Sequence, residues 1–316
     1  MAKLAATCAI LLFMCCILTN SALSLRYASL GLELWFSKMI PALLPFRILS
    51  GILVRLELTE KLASALYPVL RPLYRIRRNV CYCMMLGFLC GFPMGARVTA
   101  ELYERDRLTE AEAEYLLAFC NNIGPVYFCS FALPLLGRQL LLPYLFGMYG
   151  IPLLYGLLLR YTLFRDRLAG EAGNRAMTLC CCEKAVRKTG RLQRVFTATN
   201  EAVTAAVQGI LQLGGYMILF NVANLLPHCL AGRPFPLLAP LLEITGGLIQ
   251  MEGKAPLFCL LAITFGGVSC IAQTYSCIAN TKLSLCRYIV HKTILTLFTG
   301  CFYLCWFLLS PGSFLR

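Results

Sequence analysis

The stretch Gly87–Leu117, GFLCGFPMGARVTAELYERDRLTEAEAEYLL, decides the fold. An apolar run stops at Gly-Phe-Pro-Met-Gly, acquires an arginine, and enters the densest group of acids in the chain. The surrounding sequence has a membrane-protein composition. Of 316 residues 59% are hydrophobic and 14% charged, with a mean hydropathy of +0.71; soluble domains carry about 25% charged residues. Leu4–Leu25, Met39–Val54, Leu140–Leu159 and Thr293–Leu309 approach or exceed the ~20 apolar residues that cross a bilayer. These runs are continuous, not alternating, which excludes a β-barrel. The class is an all-α, polytopic membrane protein.

The net charge of +14 lies mainly in loops, the pattern of a positive-inside membrane protein and not of a nucleic-acid binder. Two loops orient the chain: Arg55–Asn79 is net +4 and Arg160–Arg194 net +6, and both are expected in the cytoplasm. If Val80–Ala96, Tyr115–Leu136 and Leu140–Leu159 each crossed once, three crossings would put these loops on opposite sides. The conflict disappears if Val80–Cys90 goes in, GFPMG turns, and Ala96–Arg105 returns as a re-entrant hairpin.

Thr109 and Glu112 then form a T-x-x-E capping box for the next helix. That helix breaks at NNIGP (Asn121–Pro125), which must face protein or a wet cavity because lipid cannot satisfy the freed backbone groups. In the second half, Leu211–Leu226 reads as a crossing, and EITGG (Glu243–Gly247) interrupts an apolar stretch. FGGVSCIAQ (Phe265–Gln273) falls about 175 residues after GFPMGARVT and is aligned with it. An odd number of crossings between the units makes an inverted repeat with hairpins entering from opposite faces, a design that places substrate at the midplane. The expected units are residues 1–30, an N-terminal transmembrane helix; 31–137, the first repeat; 138–195, a helix and basic cytoplasmic loop; and 196–316, the second repeat. The N-terminal segment is expected to be retained, not cleaved as a signal peptide.

Most of the 18 cysteines sit in apolar runs, where cysteine is a small hydrophobe. Cys180–Cys182 lie in the basic loop, and with two histidines and no CxxC pair no metal site is expected. Nucleophile-elbow, metalloprotease and phosphate-loop motifs are absent, so neither an enzyme nor a cofactor is expected, and any active transport would draw on a gradient or on substrate consumption.

Five segments carry a resemblance: Gly31–Phe46, Gly87–Arg97, Leu108–Phe128, Leu241–Gly247 and Phe265–Gln273. They resemble the YlbJ (SpoVV) family of sporulation integral membrane proteins, within the nucleoside-recognition Gate-domain superfamily; Tyr161–Lys188 stands apart. The resemblance implies an architecture similar to concentrative nucleoside transporters. It also implies dipicolinate as the cargo, moved across a bacterial cell membrane or the membranes around the forespore. Arg47 departs from the apolar or aromatic residue usual after the Pro-Phe of that family.

The candidate substrate contacts are Gly91, Pro93, Gly95, Arg97, Asn121, Asn122, Gly124, Glu243, Gly267, Ser269 and Gln273. A mid-membrane guanidinium is costly, so Arg97 either binds a carboxylate in bidentate fashion or pairs with Glu101. Gly91, Pro93 and Gly95 make a tight tip whose free N–H groups favour an anion. Asn121 and Asn122 either bond substrate or cap the break. Ser269 and Gln273 either bond substrate or join the hairpins. Glu243 either binds a coupling cation or proton, or neutralises Arg97 or Arg47. Glu101, Glu104, Asp106, Glu110, Glu112 and Glu114 are expected to form a solvated turn. The expected partners are a small anionic substrate and the lipid bilayer, with no nucleic acid; a homo-oligomer is left open. Nucleoside transport and a non-transporting assembly role, docking through Arg160–Arg194, fit the same sequence.

Overall fold

The computed structural model describes residues 2–56, 58–172, 191–232 and 235–314. Cys180–Cys182 and much of the second basic loop lie outside the described residues. The chain is a multi-pass, all-helical integral membrane protein. Six helical segments among the described residues are long and apolar enough to cross a membrane.

The helices, in order, begin with α1 (Ala2–Thr19) and α2 (Ser21–Arg55), the latter carrying a π-helical turn at Trp35–Met39. Next come α3 (Leu58–Tyr74), the pair α4 (Arg78–Cys90) and α5 (Met94–Glu104), and then α6 (Glu110–Cys120), α7 (125–136) and α8 (Arg138–Tyr161). After α9 (Arg165–Ala172) the second half holds α10 (Arg191–Val222), α11 (Leu225–Ala231), α12 (Ala239–Leu242), α13 (Ile244–Gln250), α14 (Pro256–Phe265), α15 (Gly267–Ile278) and α16 (Leu285–Leu309). Helices α2 and α10 run through the expected unit boundaries at 30/31 and 195/196.

The end of α3 touches the end of α8: Arg160 Nε donates to the Tyr74 carbonyl at 2.9 Å and Tyr161 Oη to the Leu73 carbonyl at 2.9 Å. The end of the first basic segment and the start of the second therefore meet at one end of the bundle. The α4–α5 hairpin starts and finishes at that end, where Asn79 Nδ2 donates to the Arg107 carbonyl at 3.0 Å. At 13 residues α4 rises about 20 Å, short of the ~30 Å hydrocarbon core. A Cβ on Gly95 would lie 3.1 Å from Gly87 Cα, so the two legs touch through their glycines.

The acid cluster is not one solvated turn. Glu101, Glu104, Asp106 and Glu110 are exposed, whereas Glu112 and Glu114 are each 6% exposed. Glu112 completes the capping box with Thr109 and receives Arg77 at both carboxylate oxygens. Glu114 pairs with Arg167 at 3.1 Å and with Arg287. These carboxylates tie the start of α6 to α9, to the start of α16 and to the segment before α4, where sequence pattern suggested only water.

The second half repeats the order of the first: a long helix, a short one, a reversal, a broken crossing and a final crossing. Its long helix is antiparallel to its counterpart, since Gly31 faces Ile218 at one end of α2 while Gly51 faces Ala202 at the other. The repeat register differs from the sequence reading. The second reversal is at Glu243, where α13 folds back so that Gly247 meets the backbone of Ala239 and Pro240. FGG is instead a break within one crossing. Leu261 of α14 lies beside Gly300, and Thr274 of α15 and Tyr288 of α16 both accept from Asn121 Nδ2, so both helices follow α16 in one antiparallel path. EITGG thus corresponds to GFPMG, and FGG to NNIGP, at an offset of about 150 residues. Glycine pairs mark tips and breaks alike, so local pattern matched the wrong pair.

Gly247→Ala should lower stability by roughly 1–3 kcal/mol, because its Cβ collides with the α12 backbone. Gly215→Ala meets nothing within 4 Å and should be neutral or stabilising by up to ~1 kcal/mol. Thermal unfolding in detergent compares them; equal midpoints would mean that α12 does not fold back on α13.

Candidate functional site

Both hairpin tips and both helix breaks converge on one cavity. Gly91 adopts φ 68° after α4 and presses its backbone on Gly124, leaving no room for a side chain. Phe92 N then donates to the Asn122 carbonyl at 2.8 Å, joining the first tip to the first break. Gly266 adopts φ 87°, and a Cβ there would sit 2.9 Å from the Phe92 ring, so the second break closes on the same tip. Tyr127 Oη lies 3.3 Å from Thr245 Oγ1, linking the first break to the second tip.

The space between them, counting the part open to solvent, is about 670 Å³. Met39, Leu43, Phe46 and Arg47 of α2 and Leu213 and Met217 of α10 form one side of it. Cys90 and Phe92, Ile123, Gly124, Val126 and Tyr127, Glu243 to Thr245, and Cys270 with Gln273 form the rest. A wider vestibule of about 1350 Å³ reaches from Arg47 past Arg97, Glu101 and Glu104 to Arg55 and Asn280, toward the end that carries the basic segments. Arg47 lines both spaces. Its Nη1 is buried against Gly209 and has no hydrogen-bond partner, and the guanidinium has no ion pair among the described residues.

Of the expected site residues, Gly124, Glu243 and Gln273 line the inner cavity, and Pro93 and Arg97 line the vestibule. Gly91, Gly95 and Gly267 act through close backbone approach: Gly95 lies against the Cys120 carbonyl and Gly267 against the α12 carbonyls. Asn121 Nδ2 donates to Thr274 Oγ1 at 2.8 Å and Tyr288 Oη at 3.3 Å, and Asn122 Nδ2 to the Phe119 carbonyl at 2.7 Å, so both fasten the break. Ser269 accepts from Gln273 Nε2 at 3.2 Å within α15, a bond inside one helix and not between the hairpins.

Two expected pairings are absent. Glu101 pairs with Arg105 at 2.6 Å, leaving Arg97 facing the vestibule without a carboxylate partner among the described residues. Glu243, 2% exposed, pairs with neither arginine. Its oxygens accept from Thr245 N at 3.0 Å, Gly246 N at 2.6 Å and Asn221 Nδ2 at 3.0 Å, capping α13.

Two partners escaped sequence reasoning. Asn221 sits in the apolar run of α10, and its link to Glu243 is long-range. Lys292 is 2% exposed and donates to the Asn121 carbonyl at 3.2 Å and Asn122 Oδ1 at 2.8 Å. It resembles a flanking cation because the last apolar run is cleanest from Thr293. The available signal was its distance beyond Arg287, more than one helical turn deeper.

Among the curated proteins, the chain is 28% identical over 222 residues to the sporulation integral membrane protein YlbJ of Bacillus subtilis (strain 168). The match supports the YlbJ family. It covers 66% of this chain and 52% of that protein, so the chain spans about half the length of its relative. No family profile and no solved structure matches. The likeness to concentrative nucleoside transporters therefore rests on sequence resemblance alone.

Glu243→Gln should turn an NH₂ donor toward one of the three donors now satisfied by the carboxylate. The expected cost is about 1–3 kcal/mol. A melting midpoint equal to wild type, with helicity retained by circular dichroism, would remove Glu243 as the cap.

Proposed function

We propose that the chain is a secondary transporter or facilitator of a small organic anion, not an enzyme, acting in a membrane of the sporulating cell. The observation that carries this reading is Arg47, a guanidinium with a buried, partnerless nitrogen at the junction of the vestibule and the inner cavity. A charge so placed is costly in a membrane protein unless a ligand or water meets it. Its planar fork suits a carboxylate.

In this reading the anion enters from the basic end, where Arg97 raises its local concentration, and passes to Arg47. The inner cavity, lined by Phe46, Phe92 and Tyr127, takes a flat apolar body while Arg47 holds one carboxylate. A planar aromatic dicarboxylate fits this chemistry, and dipicolinate is the specific candidate that the YlbJ resemblance implies. The α4–α5 and α12–α13 pairs are re-entrant hairpins starting from opposite ends, and their movement exposes the site to each side in turn. The sporulation setting follows the name of the Bacillus subtilis relative.

Uptake of radiolabelled dipicolinate into liposomes carrying the purified protein tests this directly. Arg47→Gln should lower uptake at least about ten-fold, as expected for loss of a charged hydrogen bond. Arg97→Gln should mainly raise KM and weaken its dependence on salt. Equal uptake by wild type and Arg47→Gln, or transport of nucleosides but not dipicolinate, would overturn the assignment.

A further inference from the structure

Helix α6 ends at Cys120, and Asn121 leaves the helical conformation at φ −99°, ψ 80°. The last carbonyls of such a half-helix carry partial negative charge and need donors or a cation. Asn122 O is met by Phe92 N at 2.8 Å. Asn121 O is met by Lys292 Nζ, which also bonds Asn122 Oδ1 and lies 4.7 Å from the centroid of the Phe92 ring. No carboxylate pairs with Lys292 among the described residues. A peptide carbonyl, an amide oxygen and an aromatic face thus surround the buried Lys292 Nζ.

Neutral oxygens at the C-terminal end of an interrupted helix are the chemistry of a monovalent cation site, and a π face adds further attraction. We infer that the first break and the first hairpin tip form a monovalent-cation site that is permanently occupied by the tethered ammonium of Lys292. The chain thereby supplies its own cation at a place where other membrane proteins bind Na⁺. A resident charge on α16 locks three elements together: the α6–α7 break, the Phe92 tip and the last crossing. It also removes this break as a point of Na⁺ coupling. Any ion gradient used must act elsewhere.

The inference is independent of the cargo, so its test reads folding and not transport. In full-length Lys292→Ala the emptied site should accept a free cation of similar size. Its melting midpoint in detergent should rise by on the order of 5 °C as Na⁺, K⁺ or methylammonium replaces choline at constant ionic strength. Wild type, already filled, should show no such dependence. If the variant is recovered folded only when purified in one of the small cations, the inference is equally supported. A Lys292→Ala midpoint that ignores cation identity would overturn it, as would failure to recover folded variant in every salt. A saturable Na⁺-dependent rise in wild type that is lost on Asn122→Ala would overturn it as well, because the break would then hold a free ion.

Discussion

Every helix interruption inside a membrane protein releases backbone N–H and C=O groups that lipid cannot satisfy, and this chain satisfies them by pairing interruptions with one another. Phe92 N at the first tip bonds Asn122 O at the first break, and Gly91 packs against Gly124. The second tip lies against the second break through Gly267 and the α12 carbonyls. Cross-links between halves then complete the arrangement, with Gly266 on Phe92 and Tyr127 beside Thr245. The cavity is what remains between four interruptions that need each other. Its position therefore follows from backbone chemistry before any substrate is considered.

The same constraint explains which residues carry charge in the interior. The half-helix ending at Cys120 presents carbonyls, and Lys292 comes to them. The helix starting at Ile244 presents amides, and Glu243 comes to them. An inverted repeat makes these opposite demands naturally, since one half offers a helix C-terminus and the other a helix N-terminus to a common centre. Each is met by a residue of the complementary sign, so Glu243 is left to pair with neither Lys292 nor Arg47.

Legibility from sequence followed the range of the interaction. Loop charges, read locally, suggested a turn back at GFPMG, and a helical hairpin stands there, its two ends brought together by the Asn79–Arg107 contact. The capping box at Thr109 and the break at NNIGP were readable for the same reason. The repeat register was not, because a glycine pair meets the same steric need at a tip and at a break. Only Gly247 on Pro240, and Leu261 beside Gly300, distinguish them. Glu112 and Glu114 looked like surface acids because their arginine partners are either across a loop or on another helix. Lys292 and Asn221 were missed because their partners are 170 and 22 residues away.

Arg97 drew attention because it follows the GFPMG turn, yet it opens onto the vestibule, where water can hydrate it. Arg47 reads as an isolated charge in an apolar stretch, and its significance comes from what surrounds it. The acid nearest in chemistry, Glu243, is engaged by Asn221 and two amides, and Glu101 by Arg105. These acids are committed elsewhere, and no carboxylate pairs with Arg47 among the described residues. In the function proposed above, an anion small enough for the inner cavity supplies the counter-charge, and leaves again once a rearrangement of the hairpins rehydrates the guanidinium. A permanent salt bridge at position 47 would be more stable and would bind nothing. The missing partner is thus what would let this fold carry cargo.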